Sequence, residues 1–399
     1  MSDSVVIVGG GLGASRLAEN LRGNQFAAPI TILSAEAHLP YDRPPLSKVT
    51  LTDDADRVDL KPAEFYTDAD IDVRLGARVV SVDTADRHVV VETLDGERSE
   101  VPYGTLVLAT GLRPRTFPGE GGDLAGVHVI RTFDDAVALR EEIGGARTAV
   151  VIGAGFIGCE AAASLIKRGL DVSVVEPAPT PLAAALGPVI GQFVARLHTE
   201  AGVKMTTGVG VTRLLGTDGR VSAAELDDGT VLETDLVVVG IGGYPDLTYL
   251  EGSDIALADR ATGGGIACDH LGHTSAPNVF AIGDAANWAD AHGDRQRVEH
   301  WNHTVEQAVT VAAEIEEHAL PAPTVPYFWS DQYDLKVQLL GSPRPDDEVH
   351  VVDDDGRKFL AYYSRDGLLT GVVGAGRVGK LMKTRPHLLT ETPIADLLG

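Results

Sequence analysis

One pattern occurs twice in this chain of 399 residues, and it leaves few folds open. An apolar run, Val5-Val6-Ile7-Val8, is followed by Gly9-Gly10-Gly11-Leu12-Gly13-Ala14 and a helix-compatible stretch to Arg22. A second apolar run, Ile30-Thr31-Ile32-Leu33, then leads to an acid, Glu36. The order is strand, glycine turn, helix, strand, carboxylate. Gly9 permits the tight turn, Gly11 lets backbone approach a pyrophosphate, and Ala14 is the small residue a helix needs to pack on its strand. The helix start offers unpaired N–H groups and the positive end of its dipole to phosphate. Glu36 can accept hydrogen bonds from a ribose. An ordinary strand–helix turn also uses small residues for packing, but the preceding strand and the following acid favour a dinucleotide site.

The pattern recurs after a stretch rich in proline and glycine at 112–126. Ala149-Val150-Val151-Ile152 precedes Gly153-Ala154-Gly155-Phe156-Ile157-Gly158, a helix-compatible run reaches Arg168, and Val172-Ser173-Val174-Val175 ends at Glu176. Two complete units in one chain indicate an α/β protein that carries two dinucleotides. Glu176 can take both hydroxyls of an adenosine ribose. It would repel a 2′-phosphate there, and Pro177-Ala178-Pro179 supplies no arginine to offset that.

Composition narrows the function. A net charge of −25 argues against non-specific binding to nucleic acid or to anionic membrane, because phosphate is repelled. No apolar run approaches membrane-spanning length, and the chain enters a strand almost at once without a basic, apolar leader. These features predict a cytoplasmic location. Only Cys159 and Cys268 are present, far apart in sequence, so no disulfide framework, zinc site or C-x-x-C pair is expected.

Between the two patterns, Tyr41-Asp42-Arg43-Pro44-Pro45-Leu46-Ser47-Lys48 reads by itself as a surface turn with solvated charges, in which adjacent prolines stop any helix. Residues 71–107 read as β-structure, with a hairpin at Asp95-Gly96 and a buried strand ending in Ala109-Thr110-Gly111. A further hairpin is expected at Asp228-Gly229. A return crossing is expected at Gly240-Ile241-Gly242-Gly243-Tyr244-Pro245, and an apolar strand runs into Gly283-Asp284. From Glu299 to His318 apolar residues keep helical spacing. Pro321, Pro323 and Pro326 read as a linker, and 327–399 as a small α+β domain with hairpins at Asp355-Gly356 and Asp366-Gly367.

Taken together, the stretch Tyr41 to Lys48, the two glycine turns, Ala109-Thr110-Gly111, Gly283-Asp284 and Tyr327-Phe328-Trp329-Ser330-Asp331-Gln332 resemble a known family over essentially the whole chain. It is similar to the FAD-dependent NAD(P)H:ferredoxin reductases of the putidaredoxin reductase and biphenyl dioxygenase reductase type. Those enzymes supply electrons to cytochrome P450 or ring-hydroxylating dioxygenase systems. The resemblance implies two Rossmann-like dinucleotide-binding domains of glutathione-reductase type plus a small C-terminal α+β domain. Residues 1–112 and 246–322 would form a split FAD domain, 113–245 the inserted NAD domain and 323–399 the C-terminal domain. It implies FAD contacts at Gly9, Gly11, Leu12, Gly13, Ala14, Glu36, Arg43, Lys48, Val79, Ala109, Thr110, Gly111, Arg131, Gly283, Asp284 and Trp301. It implies NAD contacts at Gly153, Gly155, Phe156, Ile157, Gly158, Glu160, Glu176 and Gly242. Lys48 and Glu160 are the implied catalytic pair, set beside the reacting rings. For Glu160 the plain alternative is a carboxylate favouring a helix dipole, and for Trp301 a core aromatic opening a helix. Asn302-His303-Thr304 departs from the Asn-Ala commoner in such proteins.

The implied partner is a [2Fe-2S] ferredoxin, with NADH as hydride donor. Because such ferredoxins are usually acidic, as this chain is, docking needs a locally basic surface. Arg357, Lys358, Arg365, Arg377, Lys380, Lys383 and Arg385 lie against a single acid, Asp366, in 357–385. Trp329, Arg377 and Lys380 are the expected docking residues. The alternative is that these bases pair with Asp353-Asp354-Asp355. Other functions considered are a disulfide or peroxide reductase, which needs a redox cysteine facing the flavin, and a rubredoxin or monodehydroascorbate-type reductase. A further one is an NADH-sensing flavoprotein similar to apoptosis-inducing factor.

Overall fold

The strand Val5–Val8 is buried at every position, between 0 and 3% exposed, and each of its side chains contributes about 1.5–3 kcal/mol of apolar burial. Such a run, apolar on both faces, suits the centre of a parallel sheet covered on both sides. The computed structural model, which describes residues 4–53, 55–290, 293–322 and 324–398, places it there. Pro323 of the proline run lies outside the described residues.

The chain forms two units. The first comprises Met1–Asp42, Arg57–Arg113 and Tyr244–Pro323. Among its described residues is a five-stranded parallel sheet in the order Val279–Ala281, Thr105–Leu108, Val5–Val8, Ile30–Leu33, Ile71–Arg74. Val8 pairs with Leu33 on one side and Leu108 on the other, so three strands end level. The helices Leu12–Gly23 and Trp301–Ile315 bury their apolar stripes together with Ile7, Ile32 and Val107 of this sheet. An antiparallel meander, Arg78–Asp83, His88–Glu92 and Arg98–Pro102, turns at Asp95-Gly96 as expected, with Gly96 at φ +80°.

The second unit comprises Arg43–Asp56, Pro114–Gly243 and Thr324–Gly399. It repeats the parallel sheet in the order Lys204–Thr207, Asp171–Glu176, Thr148–Ile152, Leu236–Val239, Val127–His128. Its C-terminal part is a five-stranded antiparallel sheet in the order Tyr327–Gln332, Leu335–Gly341, Leu368–Ala375, Phe359–Arg365, Glu348–Asp354, with the short helix Val378–Lys383 against it. The mixed α/β architecture, with two parallel dinucleotide-type sheets and an α+β C-terminal part, is the expected fold class.

One local expectation needs correction. The adjacent prolines do not stop helical structure. Pro44–Ser47 is a 3₁₀ turn with both prolines at its start, and the helical turn Val49–Thr52 follows. At a helix start the missing N–H has no intrahelical acceptor to lose, and the fixed φ is already helical. Nor is the stretch a solvated turn, since Leu46 and Ser47 are 3% and 1% exposed.

Candidate active site

The first glycine turn sits where three parallel strands end, the position at which doubly wound sheets bind ligands. Gly9 has φ +119°, and a Cβ there would lie 2.2 Å from the carbonyl oxygen of Ala109, so only glycine fits. At Gly11 a Cβ would meet nothing within 4 Å. The first intrahelical bond runs from Ser15 N–H to Gly11 O, so the N–H groups of Leu12, Gly13 and Ala14 have no intrahelical acceptor. Open space in front of unpaired N–H groups fits a pyrophosphate. Ala14 is fully buried on the sheet, as its packing role requires. Glu36 is half-buried at the end of its strand and accepts a hydrogen bond from Tyr41 Oη at 2.5 Å.

Other expected FAD contacts in this unit take defined places. Thr110 Oγ1 lies 3.3 Å from Tyr249 Oη, and Gly111 turns at φ +66°. Val79 packs in the core with Val6, Val8 and Leu33. Asp284 is half-buried, and its carbonyl accepts from Arg297 Nη1 at 2.8 Å. Trp301 opens its helix and donates Nε1–H to Asp42 Oδ1 at 2.9 Å, with the Arg16 guanidinium 5.7 Å from its ring. Gln307 was not singled out in the sequence, and His303 only as a departure from the commoner Asn-Ala. Gln307, 2% exposed, accepts the Gly283 N–H at Oε1 (2.7 Å). Its amide nitrogen therefore faces His303 Nε2 at 3.0 Å, which fixes the ring proton on Nδ1. Burial pushes His303 below the ordinary histidine range and His300 down to about 4, so both are neutral at pH 7. A polar pair four residues apart on an otherwise apolar helix face was the available signal.

The second unit holds the other turn. Gly153 has φ +94°, and a Cβ on Gly158 would stand 2.0 Å from the Gly153 carbonyl, so helix and strand touch through bare backbone. Gly155 is open, its nearest Cβ neighbour being Gly240 O at 3.9 Å. Ile157 is 43% exposed beside it, and the Phe156 ring packs on Phe328 at 4.3 Å. Gly242 also has open space at its Cβ position and turns at φ +84°. Glu176 is aimed by two backbone bonds, Ala154 N–H to Oε2 at 2.7 Å and Ala178 N–H to Oε1 at 2.8 Å. Both oxygens keep lone pairs for further donors.

Lys48 and Glu160 meet in this unit. Lys48 Nζ lies 2.7 Å from Glu160 Oε2, with the carboxylate side chain only 5% exposed. Lys48 Nζ also donates to Pro44 O at 3.0 Å. Ser47 Oγ donates to Glu160 Oε2 at 2.6 Å, and Ser330 Oγ to Oε1 at 2.6 Å. Neither serine was singled out in the sequence, although both lie in the two stretches most specific to the family resembled. Arg43 Nη1 donates to the carbonyl of Arg131 at 2.5 Å. Arg131 precedes a capping box in which Asp135 and Thr132 satisfy each other's backbone.

The expected docking residues are placed as follows. The Trp329 ring stacks on Tyr327 at 5.9 Å, with Lys336 Nζ 5.6 Å from its centroid. Arg377 pairs with Asp353 at 3.0 Å and Asp355 at 2.8 Å, Lys380 pairs with Asp353, and Arg365 pairs with Asp347 at 2.8 Å. Both cysteines are buried. Burial raises the Cys159 thiol, with Glu160 and Glu176 adding to it, and pushes Cys268 up to about 12, so neither offers a thiolate at neutral pH. Among the described residues no cluster of His, Cys, Asp and Glu suits a metal, and no helix is long and apolar enough to cross a membrane.

Two sheets of this kind, each ending in an open glycine turn with an aimed carboxylate after it, define a two-dinucleotide flavoprotein fold. The chain belongs to the pyridine nucleotide-disulphide oxidoreductase family, which it matches over residues 3–308, and residues 327–396 match the reductase C-terminal family. It is 36% identical to rhodocoxin reductase of Rhodococcus erythropolis, over 98% of this chain and 90% of that protein. It is 32% identical to the biphenyl dioxygenase system ferredoxin–NAD(+) reductase component of Paraburkholderia xenovorans, over 89% of this chain and 85% of that protein. The crystal structure of the ferredoxin reductase for the CYP199A2 system from Rhodopseudomonas palustris superposes with a TM-score of 0.92. That match has 34% identity and covers 100% of this chain and 97% of the other.

Proposed function

We propose that the chain is an NADH:ferredoxin oxidoreductase that holds FAD at the first glycine turn and NADH at the second. It passes electrons to a [2Fe-2S] ferredoxin serving a cytochrome P450 or a ring-hydroxylating dioxygenase. One observation carries this reading. The two stretches that distinguish such reductases, Tyr41 to Lys48 and Tyr327 to Gln332, converge on one carboxylate, Glu160, in the helix of the second turn. When bound, FAD supplies the conversion between a two-electron hydride donor and one-electron acceptors, so one NADH and two oxidised ferredoxins become NAD⁺, two reduced ferredoxins and one proton.

The chain's own residues then have distinct tasks. The Gly11 and Gly155 turns bind pyrophosphate through backbone N–H groups. Glu176 holds the adenosine ribose of NADH and repels the phosphate of NADPH. Lys48, its ammonium held in place by Glu160, would supply positive charge to counter the negative charge of a reduced flavin. Residues 1–112 with 246–322 serve FAD, 113–245 NADH, and 323–399 the partner, in the cytoplasm. The high, buried thiols speak against a disulfide or peroxide reductase.

The test is direct. Purified protein reconstituted with FAD is mixed with NADH, cytochrome c and a panel of [2Fe-2S] ferredoxins and rubredoxins. Ferredoxin-dependent cytochrome c reduction is expected, with NADH preferred to NADPH. A protein that takes up no FAD, or that reduces rubredoxin alone, refutes the reading.

A further inference from the structure

Glu160 has a more complete set of partners than an ion pair needs. Its carboxylate is nearly buried and can only accept. Oε2 takes the Lys48 ammonium at 2.7 Å and the Ser47 hydroxyl at 2.6 Å, and Oε1 takes the Ser330 hydroxyl at 2.6 Å. The three donors come from two remote segments, the 3₁₀ turn and the first strand of the C-terminal sheet. Each serine is itself held. Ser47 is 1% exposed, and its carbonyl accepts from Ser164 Oγ at 2.6 Å, one helical turn beyond Glu160. Ser330 is fully buried, and its oxygen faces Gln332 Nε2 at 3.4 Å. A hydroxyl has one proton. With the Gln332 amide at a lone pair of Ser330, that proton is committed to Glu160.

We propose that Ser47 and Ser330 are positioning residues that fix the plane of the Glu160 carboxylate and through it the direction of the Lys48 ammonium. On this view the C-terminal domain takes part in the hydride half-reaction through Ser330, besides any role in partner docking. The inference rests on the reading of Lys48 and Glu160 given above. A carboxylate held at one oxygen can rotate about its last bond. Held at both, it cannot, and the ammonium it anchors keeps one direction.

The test uses the FAD-loaded protein with Ser330→Ala, Ser47→Ala, Ser330→Thr and, as a control, Lys48→Met. Stopped-flow reduction by NADH separates the limiting rate from the NADH dissociation constant, and spectroelectrochemistry gives the flavin midpoint potential. For Ser330→Ala we expect the limiting rate to fall about 10-fold, the loss of one hydrogen bond to a charged group. The NADH dissociation constant should stay within about 2-fold of wild type, and the midpoint potential should fall because the reduced form is less well countered. Ser47→Ala should act in the same direction, and Ser330→Thr, which keeps the hydroxyl, should recover most of the rate. A merely structural serine would move neither the potential nor the rate selectively. If Lys48→Met changes rate and potential but both alanine variants match wild type, the inference is wrong and the reading of the pair stands. If Lys48→Met changes neither, that reading falls and the inference with it. Should Ser330→Ala fail to fold, Ser47→Ala decides by the same two measurements.

Discussion

A single methyl group placed at Gly155 should separate binding from folding. Gly155 lies at φ −71°, ψ −177°, a conformation any residue adopts, and its Cβ would have one neighbour, Gly240 O, at an ordinary 3.9 Å. Gly155→Ala therefore strains nothing in the protein itself. As a helix cap, alanine is worse than glycine by about 0.5–1 kcal/mol. Against that, alanine narrows the unfolded ensemble and gains about 0.4–1 kcal/mol. The net change in stability should stay within about 1 kcal/mol. The methyl would occupy the space in which a pyrophosphate must approach the backbone, and overfilling such a site costs about 1–3 kcal/mol, or roughly 5- to 150-fold in NADH affinity. Gly158→Ala is the contrast. Its Cβ would stand 2.0 Å from the Gly153 carbonyl oxygen, between helix and strand, where no flexible side chain can yield. It should lose about 1–3 kcal/mol of stability whether or not NADH is present. Urea unfolding and NADH titration on both variants, with FAD bound, give the four numbers needed. If Gly155→Ala is as unstable as Gly158→Ala, or binds NADH as tightly as wild type, the account of the second turn is refuted.

Three further outcomes are expected. Glu176→Ala should lower kcat/KM for NADH and narrow its ratio to that for NADPH by at least about 10-fold, and steady-state kinetics that leave the ratio unchanged would remove Glu176 from cofactor choice. His198 is fully buried, with Nδ1 2.7 Å from Tyr333 Oη, and burial lowers its pKa to about 4. A histidine that is neutral in the fold but titrates near 6.5 when unfolded gives full stability above pH 6.5, lost progressively as pH falls towards 4. Its share of the loss between pH 7 and 5 is about 2 kcal/mol, so His198→Phe should show a correspondingly smaller drop in urea stability over that interval. Arg377→Glu with Lys380→Glu should raise KM for ferredoxin several-fold at low salt and leave NADH–ferricyanide activity intact. Because both bases already pair with Asp353, unchanged ferredoxin kinetics would assign them to that local network and place docking elsewhere.

The sequence by itself determined the parts whose physics is local. A glycine turn between an apolar strand and a helix requires small residues at fixed spacing, so both turns, their strands and the acids Glu36 and Glu176 were legible at once. The hairpins at Asp95-Gly96, Asp228-Gly229, Asp355-Gly356 and Asp366-Gly367 were legible for the same reason, since each needs a residue that tolerates positive φ between alternating strands.

What only the tertiary structure decided is which distant side chains meet. Nothing near Glu160 in sequence indicates that its carboxylate takes a hydroxyl from 113 residues before it and another from 170 residues after it. Serine has no periodicity to betray it, and a buried hydroxyl reads like any loop residue until its acceptor is placed. The prolines at 44 and 45 misled for a related reason: they forbid a helix interior, but whether they end a helix or begin one depends on what the following residues pack against. The sequence left open whether the C-terminal basic residues face a partner or pair with Asp353-Asp354-Asp355, and the fold pairs Arg377 and Lys380 with Asp353 and Asp355, 22 to 27 residues away. Charge counted along a chain says nothing of pairing across it.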